Sequence, residues 1–170
     1  MAHYRIIDGA AQLAARDSTT GSAAKGRRVA VVAARFNADI VEQMVAGAAA
    51  AWSRQGGDEA SLVLVRTPGA FELPLVARKL AASGRYDAIV ALGCVIRGDT
   101  AHFDFVAGEA ARGIAEAARD TGIPVIFGVL TTENLEQAIE RASVDRMDKG
   151  GEAMDAAIEM AVLLQQIAVS

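Results

Sequence analysis

One stretch of the chain concentrates groups able to do chemistry: "GCVIRGDTAHFDFV", residues 93 to 106. Gly93 to Thr100 is spaced as G-x-x-x-x-G-D-T, one residue type away from the phosphate-loop pattern G-x-x-x-x-G-K-[ST]. A nucleoside triphosphate needs that lysine against its outer phosphates, and Asp99 in its place opposes them. A glycine-permitted turn running into a helix still offers backbone N–H groups to a smaller anion, such as one phosphate monoester. On the residues alone, Asp99 or Thr100 serves equally well as a simple helix cap.

His102 follows in the first helical turn, where an imidazole titrating near neutral pH can act as general acid and base. Taken singly, a histidine also fits a structural or merely exposed position. Asp104 lies two positions on and does not share the histidine's helix face, so spacing gives no His–Asp relay. Cys94 sits among strand-end apolar residues and reads as a packed side chain, not a thiolate nucleophile. A metal centre fails on ligand count, because only one of the two histidines lies in the body of the chain. Phe36 and Phe71 stand just after two other apolar runs in a chain with 5% aromatics. They can stack on a flat ring with Glu72 accepting hydrogen bonds beside it, or they can belong to the core. Arg141 and Lys149 read as solvated charges.

The elements that must hold these residues alternate regularly. "RVAVVAARF", "SLVLVR", "YDAIVALG" and "PVIFGVL" are short β-rich runs, and a helical pattern follows each. The first helix carries Ile40, Val41, Met44, Val45, Ala48, Ala49 and Trp52 on one stripe, with Asn37 placed to cap it and Gly56-Gly57 to stop it. Pro74 suits the first turn of the second helix. The fourth strand is followed by a helix with Leu135, Ala138, Ile139 and Ala142 in step. The last helix has two apolar stripes, Ala153, Ala156, Ala157, Met160, Ala161 and Leu164 on one and Met154, Ile158 and Val162 on the other, which calls for two packing partners.

Four β-then-α units imply parallel strands with right-handed crossovers. The expected fold is therefore a flavodoxin-like, three-layer α/β/α domain around a central four-stranded parallel sheet, with ligands bound at the carboxyl ends of the strands. Residues 1–28 are read as an N-terminal arm and flexible lead, and 29–170 as the α/β domain. Within the arm, "HYRIID" could extend the sheet by a strand given to, or received from, a neighbouring subunit.

Composition narrows the function classes. A net charge of −4 with scattered Lys and Arg gives no basic face for nucleic acid. No run of residues is apolar for long enough to span a membrane, the start is a poor signal peptide, and a single cysteine suits a reducing compartment. The expectation is a cytoplasmic protein. With 52% hydrophobic residues, many of them alanine, the apolar surplus fits closely packed helices and burial between subunits.

Taken together, "RFN", "PGAFELP", "ALGCVIRGDTAHFDFV", "PVIFGVLTTENLEQAIERA" and "KGGEA" closely resemble the 6,7-dimethyl-8-ribityllumazine synthase family of riboflavin biosynthesis, in order and at its separations, from about Val29 to the end of the last helix. The resemblance implies a transferase that condenses 5-amino-6-(D-ribitylamino)uracil with 3,4-dihydroxy-2-butanone 4-phosphate, without cofactor or metal. By position, it implies that Phe36, Ala70, Phe71, Glu72, Cys94, Val95, Ile96 and Phe127 bind the ribitylaminouracil. Asp99, Thr100, Arg141 and Lys149 would bind the butanone phosphate, and His102 would transfer protons. Phe127 and Arg141 would come from a neighbouring subunit. Asp99 is tolerable beside a phosphate if only its backbone N–H faces the ligand.

The resemblance also implies a homopentamer, with stacking into decamers or closure into a 60-subunit shell open, and association with a riboflavin synthase as a further option. Two rivals remain on sequence alone. One is a flavin-binding or cage-forming paralogue with reduced catalysis; the other is an unrelated phosphate-ester enzyme of the same fold.

Overall fold

A computed structural model of the chain describes residues 21–169, together with Ala10 and Leu13. The strand expected at "HYRIID" lies outside the described residues.

The strands form a single parallel sheet in the order β2-β1-β3-β4, comprising β1 (Val29–Ala34), β2 (Leu62–Thr67), β3 (Ala88–Ile96) and β4 (Val125–Thr132). The helices are α1 (Ala38–Arg54), α2 (Leu73–Ala81), α3 (His102–Thr121), α4 (Leu135–Ala142) and α5 (Lys149–Ala168). This is the expected flavodoxin-like arrangement. All six residues of β1 and the first seven of β3 are buried, because helices cover both faces of these central strands; that is why the two runs are apolar throughout instead of alternating.

Strand alternation divides the core in two. Val29, Val31, Ala33, Val90, Leu92 and Cys94 face one way, into a cluster with α1, α4 and α5. Ala30, Val32, Ala34, Ile89 and Ala91 face the other, against α2 and α3. α5 touches α1 as well as β3 and β4, and Ala153, Ala157 and Ala161 of one stripe join Met154, Ile158 and Val162 of the other in the same buried cluster, while Ala156, Met160 and Leu164 are half-buried.

Small residues set how closely the layers approach. A Cβ on Gly150 would lie 2.0 Å from the Met44 carbonyl oxygen, and one on Gly47 2.0 Å from Asp148 Oδ1, so the start of α5 rests directly on the backbone of α1. Asp148 caps α5 by accepting from Gly151 N, from a left-handed backbone at φ 46.

Five local expectations change. Asn37 is left-handed at φ 57 and makes no side-chain cap to α1; its amide is used elsewhere. β3 continues past Gly93 to Ile96, because that glycine makes room for Leu73, whose Cδ1 would lie 3.1 Å from a Cβ, and does not end the strand. In α1, Gly47 and Ala51 are buried, whereas Ala49 is exposed, since α5 packs closer on that side. Leu135 and Ile139 are exposed although they keep step with buried Ala138 and Ala142. Ahead of β1, part of the segment read as a lead lies against the domain: Ala23 and Ala24 are buried, Gly21 N donates to Arg54 O and Ala24 N to Gln55 O.

Candidate active site

The sheet order reverses at β1: the chain moves out to β2, then crosses back to β3 on the other side. The segments leaving β1 and β3 therefore part from each other and leave a crevice at the carboxyl edge. A cavity of about 610 Å³ lies there, lined by Phe36, Gly69 to Glu72, Cys94 to Ile96, Gly98, Thr100, His102 and residues of the first turns of α3.

Phe36 is held at the mouth by its backbone, since Phe36 N donates to Pro68 O at 3.1 Å and extends the β1–β2 ladder beyond the strands. The next residue, Asn37, donates its side-chain amide to Cys94 O at 2.9 Å, bridging the segment after β1 to β3. Phe36 is 70% exposed and Phe71 is 55% exposed. Neither is a core residue, so that alternative falls away, and both are free to present a face to a planar ligand.

Phe71 and Glu72 sit on a single 3-10 turn, Ala70–Glu72. Glu72 Oε2 accepts from Gly69 N at 3.0 Å, which fixes the carboxylate at the cavity wall. Buried Thr67 steadies the same turn by donating its hydroxyl to Gly69 O at 3.0 Å.

Cys94 is 2% exposed and belongs to the cluster under α1 and α5. Burial pushes its thiol up to about 11, so it stays protonated at neutral pH and is no nucleophile. Beyond Ile96, Gly98 and Thr100 form the turn into α3, and both line the cavity. Asp99 is exposed and does not line it. Neither Asp99 nor Thr100 provides a side-chain cap to α3; Thr100 Oγ1 accepts only a long 3.4 Å bond from His102 N. His102 is the first residue of this 20-residue helix, and its exposed imidazole lines the cavity beside a helix N-terminus, whose partial positive charge favours an anion.

Phe127, Arg141 and Lys149 are elsewhere. They line a second cavity of about 390 Å³ formed by β4, α4 and α5, which shares no lining residue with the first. Among the described residues, Arg141 Nη1 donates to Gln137 O at 3.1 Å and lies 3.8 Å from Glu140, while Lys149 pairs with Glu152 at 2.6 Å. One chain thus carries two separate groups of candidate residues, as expected if Phe127 and Arg141 serve a neighbouring subunit's cavity. Lys149 sits with them and away from Thr100.

Sequence reasoning did not single out Asn37, Gly69, Phe103, Phe105 or Val106 as site residues. Val106 falls one helical turn after His102, and that periodicity was a usable signal. The role of Asn37 depends on its left-handed backbone, which leaves no periodic trace. Among the described residues, no group of three His, Cys, Asp or Glu side chains could hold a metal ion, and no helix is long and apolar enough to cross a membrane.

A family model described as 6,7-dimethyl-8-ribityllumazine synthase matches residues 26–165. A protein of that name from Nitratidesulfovibrio vulgaris (strain DP4) is 53% identical over 144 residues, covering 85% of this chain and 92% of its own length. One from Chlorobium chlorochromatii (strain CaD3) is 54% identical over 144 residues, covering 85% and 93%. Another, from Chlorobium phaeovibrioides, is 53% identical over 140 residues, covering 82% and 90%.

Proposed function

Since the chain belongs to the 6,7-dimethyl-8-ribityllumazine synthase family, we propose that the cavity at the ends of β1 and β3 is where its reaction takes place. The protein is a transferase that condenses 5-amino-6-(D-ribitylamino)uracil with 3,4-dihydroxy-2-butanone 4-phosphate to give 6,7-dimethyl-8-ribityllumazine, phosphate and two waters. The observation that carries the site assignment is the convergence of Phe36, Ala70 to Glu72, Cys94 to Ile96, Thr100 and His102 on one cavity.

In this reading Phe36 stacks on the pyrimidine, and Ala70, Phe71 and Glu72 line the ring and meet the ribityl chain. Cys94, Val95 and Ile96 border the uracil edge largely through backbone groups. The turn at Asp99 and Thr100 receives the phosphate at the start of α3. Asp99 is exposed and outside the cavity lining, so in this reading only its backbone N–H faces the phosphate and its carboxylate stays in solvent. Phe127 and Arg141, joined by Lys149, complete the site from the adjacent copy, which is what their separate cavity supports. Residues 29–170 form the catalytic domain, and of the segment 1–28 before it the part from Gly21 onward lies against that domain.

The chemistry needs no protein nucleophile. The amine adds to the ketone, water leaves to give an imine, phosphate is eliminated, and ring closure releases a second water. His102 accepts and returns protons in these steps. Holding two reactants together can supply about 7–11 kcal/mol, whereas one acid–base group contributes about 10²–10⁴ in rate, so positioning lowers the barrier more than proton transfer does.

A site divided between two faces of one chain supports a ring of copies, and we propose a homopentamer in the cytoplasm. Stacked decamers, a 60-subunit shell and association with a riboflavin synthase are extensions that the same subunit allows. Mixing the purified protein with both substrates tests the reading: lumazine fluorescence above the spontaneous rate supports it. Flavin binding without turnover would point to the paralogue with reduced catalysis, and silence in both assays would overturn the assignment of this cavity as the site. Light scattering reads the oligomer independently.

A further inference from the structure

We infer that Arg97 is a positioning residue for the phosphate side of the site: it clamps the Gly98–Thr100 turn and the start of α3, and through them fixes His102. The inference rests on the functional reading above for what the turn binds, and on the geometry alone for the clamp.

Arg97 is the first residue after β3, and its backbone N donates to Thr132 O at 2.8 Å, continuing the β3–β4 ladder past the strand end. Its side chain then reaches in two directions. Nε donates to Glu133 Oε2 at 2.9 Å, just beyond β4. Nη2 donates to Asp104 Oδ1 at 3.2 Å, in the first turn of α3, and the guanidinium carbon lies 4.2 Å from the centre of the Phe103 ring. The two residues that follow His102 are therefore both held by this one side chain.

Among the described residues, the turn has little else to hold it. Its own links are the 3.4 Å bond from His102 N to Thr100 Oγ1 and the bond from Asp104 N to Ala101 O at 3.0 Å, both local to the helix start. Around Gly98 there is open space: apart from its chain neighbours, no described atom lies within 4 Å of where a Cβ would sit. Arg97 itself does not line the cavity, and its charge is already met by two carboxylates, so it is not placed as a phosphate ligand. The planar fork explains the residue type: an ammonium cannot donate in two fixed directions and stack on a ring at once.

A positioning role and a charge role predict opposite signs for one variant. Removing two carboxylates near an anion site strengthens anion binding if only charge matters. If Arg97 must be anchored, the double variant Glu133→Gln/Asp104→Asn instead weakens binding of the butanone phosphate. The expected results are a rise of about tenfold in KM for that substrate in the double variant, in Arg97→Ala and, less severely, in Arg97→Lys, with kcat reduced and KM for the uracil within about twofold of wild type.

Backbone amide exchange of the segment 97–104, followed by mass spectrometry on the assembled protein, should quicken in Arg97→Ala and in the double variant. Wild-type KM for the butanone phosphate in the double variant, or unchanged exchange in Arg97→Ala, overturns the inference. Absence of lumazine from the wild-type protein counts against the functional reading instead, and the exchange measurement still decides the clamp.

Discussion

The side-chain amide of Asn37 donates to the backbone carbonyl of Cys94 over 2.9 Å, tying the segment after β1 to β3 where the sheet order reverses. Asn37 does this from a left-handed backbone, φ 57, which positions its neighbour Phe36 at the cavity mouth. Replacing it separates the two contributions. Asn37→Gly loses the hydrogen bond and keeps the backbone relaxed, whereas Asn37→Ala loses the bond and carries an added cost of about 1–2 kcal/mol for the left-handed conformation. Urea unfolding should therefore rank wild type above Gly and Gly above Ala, and KM for the ribitylaminouracil should rise in both. A wild-type KM in Asn37→Gly would show that the bridge does not serve Phe36.

His102→Ala should be slowed by roughly 10²-fold, and by no more than about 10⁴-fold, in kcat, with both KM values little changed, because holding the two reactants together does not depend on the imidazole. Single-turnover fluorescence measures this. Complete loss of turnover in a folded variant that still binds the uracil would mean that His102 does more than move protons.

Arg141→Ala should raise KM for the butanone phosphate and leave uracil binding nearly unchanged. Because Arg141 and His102 line different cavities of one chain, the two defects can complement each other in mixed rings. Co-expressing His102→Ala and Arg141→Ala subunits in equal amounts leaves roughly a quarter of the interfaces with both native residues, if sites form head to tail between copies. With the butanone phosphate well below its wild-type KM, so that the Arg141→Ala defect is expressed, about a quarter of wild-type activity is the expected yield. Activity no better than the mean of the two single variants would place the whole site within one chain.

Most of the fold is legible in the sequence because central parallel strands, covered on both faces, must be apolar throughout. Such runs stand out between helical patterns, as "RVAVVA" and "AIVALG" do. The strand ends then bring Phe36, Phe71, Thr100 and His102 into one region without any knowledge of side-chain positions. Contacts made by backbone geometry were not legible. Gly93 looks like a strand terminator and is instead a place where Leu73 packs close. Asn37 looks like a helix cap and is a bridge. Leu135 and Ile139 have the periodicity of buried residues but stay exposed, and periodicity cannot distinguish a face buried in the fold from one left outside it.

Cys94 gives stability a pH dependence of definite sign. Its folded thiol titrates at about 11 against an ordinary 9.0, raised by burial. Below pH 9 the thiol is neutral in both states and its packing contributes fully. As pH rises from 9 to 11 only the unfolded chain ionises there, so unfolding becomes easier. The urea midpoint of the wild-type protein should fall more steeply across this window than that of Cys94→Ala. Parallel slopes would mean that the thiol reaches water in the folded state. Alkylation at pH 8 should likewise be slow until the chain is unfolded.

The seat of α5 on α1 bears on how Lys149 is aimed. Gly150 meets the Met44 carbonyl and Gly151 is held by Asp148, so the peptide carrying Lys149 rests on main chain instead of on interlocking side chains. Main chain has no rotamers to redistribute. Substitutions elsewhere in the α1–α5 core can therefore accumulate over evolutionary time without moving the main chain at Lys149, and drift in the core is insulated from the charge this residue carries beside the second cavity.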